Sequence, residues 1–382
     1  MSMWIPDAAI SQETFSSDFW KKKATRLCSG LDIRQISKQL SQAYLLDLCK
    51  SELVESRLVD SKDYSLALGP FELSQLPSEH MLMIQSLESH LESISELVSQ
   101  HFSFLPRWRI DDVMATIANN DTSCGPHFDY YDVFLIQVRG EKTWQLDDGH
   151  DDDSDLSVTS DIRLLKDFRA TEEFSQKPGD ILYIPPKVGH WGIAGDDSLT
   201  LSIGIRNPTL QEMISHFADL VGDQIKEVVT LDDSLDMHDH SIHTKSTDQI
   251  TERLANTFLR ADLTQKWFGC YMTELREPEL AIYPQSPKTT DQIIHWLDHV
   301  QILKCQLATR LAFQETEDAL LIFVNGLALE VKNSCLSWFQ KFEQTRYIKT
   351  ELIEHNEANI ELVQSLYMMG AIVTNPSKLK VV

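Results

Sequence analysis

Gly125-Pro126-His127-Phe128-Asp129-Tyr130-Tyr131-Asp132-Val133-Phe134-Leu135-Ile136-Gln137 reads as a turn running into a strand. It is answered by Pro178-Gly179-Asp180-Ile181-Leu182-Tyr183-Ile184-Pro185-Pro186-Lys187-Val188-Gly189-His190, a strand running into a turn. Successive residues of an extended segment alternate faces, so His127 and Asp129 point to one side and Tyr131 shares it. With His190 they make two histidines and one carboxylate, the set that holds a non-haem Fe(II) on one face and leaves the opposite positions open. A lone His-X-Asp arises often by chance, and the second segment is what makes the pattern specific. Zinc can use the same donors in some hydrolases. Without a metal, both histidines would be ordinary capped-turn residues.

The neighbouring strands carry a second constellation. Gly140-Glu141-Lys142-Thr143-Trp144 puts Lys142 on the strand after the His-X-Asp segment, on the same face as Trp144. A fixed cation beside an open iron suits the far carboxylate of 2-oxoglutarate, whose keto-acid end would chelate the metal. On the preceding strand Asp112, Met114 and Thr116 alternate onto one face, and Thr116 could hydrogen-bond that same carboxylate. Lys142 could also be a plain surface lysine, and Asp112 a partner for Arg109 or part of a turn. The strands expected at 109–118, 133–138, 143–146, 181–184 and 199–205 are short and broken by turn signals, which points to an antiparallel barrel or sandwich.

Composition narrows the class. The chain has 382 residues, 42% of them hydrophobic, enough for two or three packed domains. No apolar run approaches the roughly 18 residues of a membrane span, and residues 1–10 lack a signal-peptide pattern. Six scattered cysteines without a C-x-x-C pair point to reduced thiols and a cytoplasmic setting. Cys124 precedes His127 closely and is read as a small residue lining the turn rather than a ligand. With 34 basic against 58 acidic residues the net charge is −24. That disfavours sequence-specific nucleic-acid binding and suits either simple solubility or a basic protein partner.

The remaining pattern is mostly helical. Residues 10–60 read as helices, and Leu87, Leu91, Ile94 and Val98 predict a helix over 79–102 that Pro106 ends. Further helices are expected at 212–229, 248–262 and 263–275, with a polar loop at 232–246 carrying His238, His240 and His243. That loop is read as solvated rather than metal-binding. So is the stretch from Asp147 to Asp155, where neither the turn glycine nor the terminal glutamate of a calcium loop is correctly placed. A linker at 284–287 precedes a helix (291–303), a hairpin over 310–331 turning at Asn325-Gly326, and further helices, an order consistent with a winged helix. Nine basic and eleven acidic residues over 286–382 suit protein contacts better than DNA.

These motifs, with Arg109-Ile110-Asp111-Asp112 and Phe19-Trp20-Lys21-Lys22, resemble those of the bacterial ribosomal oxygenases, Jumonji-C proteins similar to the human nucleolar ribosomal oxygenases. The likeness covers nearly the whole chain. It implies an α+β architecture: a double-stranded β-helix (cupin/Jumonji-C jelly roll) with a helical N-terminal part over 1–208, a helical dimerisation domain over 209–285, and a winged-helix-like domain over 286–382. It also implies Fe(II)- and 2-oxoglutarate-dependent 3-hydroxylation of an arginine in large-subunit ribosomal protein L-sixteen, by a cytoplasmic homodimer. On that likeness His127, Asp129 and His190 would bind iron, and Lys142 with Thr116 would bind 2-oxoglutarate. Asp112, Tyr131 and Ser202 match positions that contact the substrate arginine. Enterobacterial members carry arginine where this chain has Lys142, so bidentate geometry is lost there. Jumonji-C lysine demethylation and a non-catalytic metal-binding cupin are the competing readings.

Overall fold

The computed structural model describes residues 10–27, 31–148, 162–224, 244–258 and 261–373. His238, His240 and His243 and the acidic stretch beyond Asp148 lie outside them. The chain opens with α1 (Gln12–Thr14), a π-helical turn over Phe15–Phe19 and β1 (Thr25–Leu27). Then come α2 (Arg34–Gln39), α3 (Gln42–Leu48), β2 (Ser56–Asp60), β3 (Leu66–Leu68) and β4 (His80–Ile84). Helices α4 (Leu87–His90) and α5 (Glu92–His101) lead into β5 (Ile110–Ala118). The strands β6 (Val133–Arg139), β7 (Lys142–Asp147), β8 (Glu172–Gln176), β9 (Ile181–Ile184), β10 (Gly189–Ala194) and β11 (Ser198–Ile205) complete the first half.

Eight of these strands form one sheet in the order β1-β9-β6-β11-β5-β4-β2-β3, and β10-β7-β8 form a second. The apolar sequence of β6 explains how the layers meet. Val133 and Leu135 pack with Trp144, Leu146 and Phe174 between the two sheets. Phe134, Ile136 and Val138 face the other way, onto Phe15, Phe102 and the helices that cover the large sheet. A strand buried on both faces needs such a continuous apolar run. Phe134 sits among the rings of Phe15, Trp20, Phe102, Phe104 and Tyr183. The buried Asp132 accepts a 2.5 Å hydrogen bond from the Tyr183 hydroxyl, which in turn accepts one from the Lys21 backbone N–H at 2.7 Å.

Two sequence expectations change here. The helix expected over 79–102 begins as strand β4, because pairing with both β2 and β5 overrides the helix propensity of its methionines and leucine. Leu87, Leu91, Ile94 and Val98 are all buried as their spacing required, yet Leu91 is extended (φ −127°) and splits the stretch into α4 and α5. Residues 10–60 are likewise short helices interleaved with β1 and β2 rather than continuous helix.

The second half holds α6 (Leu210–Gln224), α7 (Thr244–Phe258) and α8 (Ala261–Thr273). Phe217 and Val221 of α6 pack on Trp267 and Tyr271 of α8. Beyond them lie α9 (Thr290–His299), closed at its start by a Thr289/Gln292 capping box, and β12 (Ile302–Lys304). Strands β13 (Leu311–Glu315), β14 (Leu320–Val324) and β15 (Leu327–Val331) form a three-stranded sheet. The chain continues through α10 (Leu336–Thr345), β16 (Tyr347–Lys349) and α11 (Glu357–Met368). The expected hairpin is therefore two hairpins, of which Asn325 (φ 51°) and Gly326 (φ 82°) turn the second. This half is fastened to the first at β5: Arg310 hydrogen-bonds the carbonyls of Ile110 and Asp111. Among the described residues no helix is long and apolar enough to cross a membrane.

Candidate active site

Strand pairing builds the site. His127 forms an isolated antiparallel bridge with His190, with hydrogen bonds of 3.1 and 2.8 Å between their backbones. The two rings thereby stand 4.2 Å apart, centroid to centroid. Asp129, one alternation further on, brings its carboxylate 3.7 Å from Nε2 of His190. Each of the three residues offers one donor atom within 4.8 Å of the others, a group that could hold a metal ion. His190 lies in β10 rather than in a turn, and the ladder with β7 sets its place.

The ring orientations are fixed from behind. Nδ1 of His127 is 3.0 Å from the Gly125 carbonyl, and Nδ1 of His190 is 3.1 Å from the Val188 carbonyl. A carbonyl can only accept, so each Nδ1 carries a proton and Nε2 is left as the ring atom that can face a metal; against burial, the adjacent Cys124 and Asp129 raise His127 to about 9. Burial, then the adjacent His127, holds His190 well below the ordinary histidine value, which keeps it neutral as a ligand must be. Burial also raises the Asp129 carboxyl, opposed by His127 and by a hydrogen bond from Tyr131. Cys124 lines the same turn, its Sγ 4.0 Å from His127 Nδ1.

Lys142 begins β7 and is 5% exposed. Its ammonium lies 4.7 Å from the ring centroid of Trp144, whose indole N–H donates to Gln176 at 2.7 Å and so cannot rotate. Gly192 on the paired strand β10 makes the room, since a Cβ there would meet Lys142 Cε at 2.6 Å and Trp144 at 2.7 Å. Among the described residues no carboxylate pairs with Lys142. Burial accordingly lowers its pKa, against the attraction of Cys124. An unpaired buried cation next to a metal site is a receptor for an anionic group.

One cavity of about 430 Å³ joins these parts, and all eight residues singled out in the sequence line it: Asp112, Thr116, His127, Asp129, Tyr131, Lys142, His190 and Ser202. Thr116 of β5 pairs with Met83 on one side and Thr200 on the other. Ser202 of β11 stands between Met114 and Leu135. Tyr131 is 42% exposed at the mouth. Asp112 lies in a strand, not a turn. Its cationic neighbour is Arg276 at 3.6 Å rather than Arg109, and its Oδ2 accepts no hydrogen bond. Burial pushes its carboxyl up to about 7 in spite of Arg276.

Sequence reasoning missed Met81, Met83 and Gln85, which line the cavity from β4, and Arg57 and Arg276 at its mouth. The period-two alternation in His80-Met81-Leu82-Met83-Ile84-Gln85 was the available signal for the first group. Nothing near Arg276 in sequence marked it.

Comparisons with known proteins agree with this geometry. The JmjC domain model matches residues 97–213 and the ROXA-like winged helix model matches residues 252–372. A probable ribosomal oxygenase of Haemophilus influenzae is 34% identical over 212 residues, 54% of this chain and 52% of that protein. The ribosomal protein uL16 3-hydroxylase of Escherichia coli is 28% identical over 303 residues, 76% of this chain and 78% of that protein. The chain thus aligns with about half the length of the first relative and about three quarters of the second. The crystal structure of E. coli YcfD superposes with a TM-score of 0.81 at 24% identity, covering 96% of this chain and 98% of that one. YcfD in complex with cobalt and 2-oxoglutarate gives 0.79 at 24% identity, covering 96% and 99%. The sandwich and its winged helix are therefore one fold with YcfD from end to end. The chain thus carries a JmjC domain over residues 97–213 and a ROXA-like winged helix over residues 252–372, and is similar to the ribosomal oxygenases named above.

Proposed function

We propose that this chain is an Fe(II)- and 2-oxoglutarate-dependent oxygenase that hydroxylates the β-carbon (C3) of an arginine in the large-subunit ribosomal protein uL16. The observation that carries the reading is the single cavity with three functions in sequence along it. His127, Asp129 and His190 close one end, the unpaired Lys142 lies beside them, and Asp112 waits near the mouth. The donor set of two imidazoles and a carboxylate suits Fe(II), which His127, Asp129 and His190 would hold. Iron held there would supply, with 2-oxoglutarate and oxygen, the oxidising chemistry that turns a C–H bond into C–OH while the co-substrate becomes succinate and CO₂.

The chain's own residues position and select. Lys142 binds the distal carboxylate of 2-oxoglutarate, with Thr116 donating its hydroxyl from β5. Asp112 receives the substrate guanidinium, Tyr131 lies along its aliphatic stem, and Ser202 hydrogen-bonds within the same chamber. The net charge of −24 suits a basic protein substrate. The helical region over 209–285 serves as a dimer interface in a cytoplasmic protein. The exposed Leu210, Ile214, Ile250 and Leu254 on α6 and α7 support that assignment, and a monomeric mass in solution would refute it. The decisive assay treats uL16 with the chain, Fe(II) and 2-oxoglutarate and reads succinate release and the mass of arginine-containing peptides. One added oxygen on an arginine is the expected result. Loss of a methyl group from lysine would point to demethylation, and no succinate would leave only a metal-binding module.

A further inference from the structure

The mouth of the cavity already holds an arginine. Arg276 lies just beyond α8, on the path to the winged helix, and lines both the cavity and a groove of about 350 Å³ beside it. Its guanidinium is 3.2 Å from Asp111, 3.6 Å from Asp112 and 3.6 Å from Glu55. Glu55 also pairs with Arg57 at 2.5 Å, and Asp111 with Arg310 at 3.7 Å. Among the described residues the ion-pair partner of Asp112 is Arg276. That contact is loose: Arg276 donates its hydrogen bond to Asp111, and Asp112 Oδ2 accepts none. Arg276 can therefore leave Asp112 and still face two carboxylates. Gly204 keeps the other side of Asp112 open, where a Cβ would stand 3.1 Å from its Oδ1.

We propose that Arg276 holds Asp112 as an internal stand-in for the substrate guanidinium and yields it when an arginine side chain enters. The proposal rests on the reading of Asp112 as the substrate's cation receptor. Left empty, a buried Asp112 without a cation would be costly, and Arg276 removes that cost in the resting protein. An incoming cation must then outcompete a guanidinium. A second guanidinium does so through its planar fork, which meets a carboxylate with two parallel bonds. A lysine ammonium is a more strongly hydrated point charge and gains less. Asp112 thus prefers arginine, and Arg276 sets the threshold that any entering side chain must pass to reach it.

The test measures dissociation constants, by fluorescence anisotropy on the full chain, for a blocked peptide with one central arginine and for its lysine and citrulline counterparts. In Arg276→Ala the arginine and lysine peptides should both bind about tenfold more tightly, because either cation is spared the same displacement. Citrulline binding should not change. Arg276→Lys should fall between, and it preserves the charge if the alanine variant folds poorly. Unchanged or weaker binding of the arginine peptide in Arg276→Ala, or an equal gain for citrulline, would overturn the proposal. Asp112→Asn separates the two readings. If the wild-type preference for arginine over citrulline survives that change, the assignment of Asp112 itself fails and the proposal falls with it. If Asp112→Asn abolishes the preference while Arg276→Ala moves nothing, only the role of Arg276 is lost.

Discussion

The two ends of the cavity are built in opposite ways. The metal end draws His127, Asp129, Lys142 and His190 from adjoining parts of one β-sandwich, and backbone carbonyls or a ladder strand fix each side chain. The mouth draws Glu55, Asp111, Asp112, Arg276 and Arg310 from segments that lie on both sides of the helical region, and ion pairs hold them together. The first arrangement is rigid because strand pairing leaves it no freedom. The second contains a cation with three alternative carboxylates, so it can rearrange. Chemistry sits at the rigid end and selection at the exchangeable one, the division expected where reacting groups need fixed geometry and substrates must come and go.

The contrast can be broken or sharpened by experiment. Asp129→Ala should lower Fe(II) affinity by more than about a hundredfold, beyond what losing a hydrogen bond that merely supports a ligand does, and abolish turnover. Tight stoichiometric iron binding by that variant in calorimetry would show that the metal end is not where the geometry puts it. Lys142→Met should raise KM for 2-oxoglutarate on the order of tenfold to a hundredfold, the worth of a charge-assisted contact, and leave iron affinity unchanged. A change in iron affinity instead would mean that Lys142 supports the triad rather than the co-substrate.

At the mouth the prediction concerns pH. Asp112 faces Arg276, Asp111, Glu88, Arg310 and Tyr131, and its folded pKa of about 7 lies above the ordinary value of 3.8. Its charge therefore appears as pH rises through about 7, and affinity for an arginine peptide should increase about tenfold between about pH 6 and about pH 8. The sign for stability is the reverse: a carboxyl with a raised folded pKa contributes stability below its unfolded value that is lost as pH rises through about 7. A flat affinity profile in wild type, matched by Asp112→Asn, would remove Asp112 from substrate binding. The smallest effect is expected at the seam between the two ends. Tyr131→Phe removes a hydrogen bond to Asp129 from a half-exposed ring and should change kcat/KM by roughly tenfold or less. A larger loss would assign that hydroxyl a direct part in the reaction.

How much could be read in advance follows the same division. The shared face of His127 and Asp129 was legible because one extended segment carries both, where local period-two geometry suffices, and His190 was marked by the apolar strand that precedes it. Lys142, Thr116 and Asp112 were legible for the same reason, as alternate positions on neighbouring strands. Strand β4 was not. Methionine and leucine serve helix and strand alike, and the flanking partners β2 and β5 that decide between them are distant in sequence or unmarked as strands. Arg276 was not legible either, since no periodicity or motif surrounds it.

By itself, then, the sequence determined the local chemistry: which donors share a face, where a cation follows them, and that an acidic chain suits a basic partner. Only the tertiary structure decided what stands across from those residues. It seated His190 against His127 through a two-residue bridge, buried Lys142 without a counterion among the described residues, and brought Arg276 to Asp112. The physical reason is range. Backbone alternation acts over two residues and is written in the order of the side chains. The pairing of charges at the mouth depends on how separately folded layers pack, which that order does not encode locally.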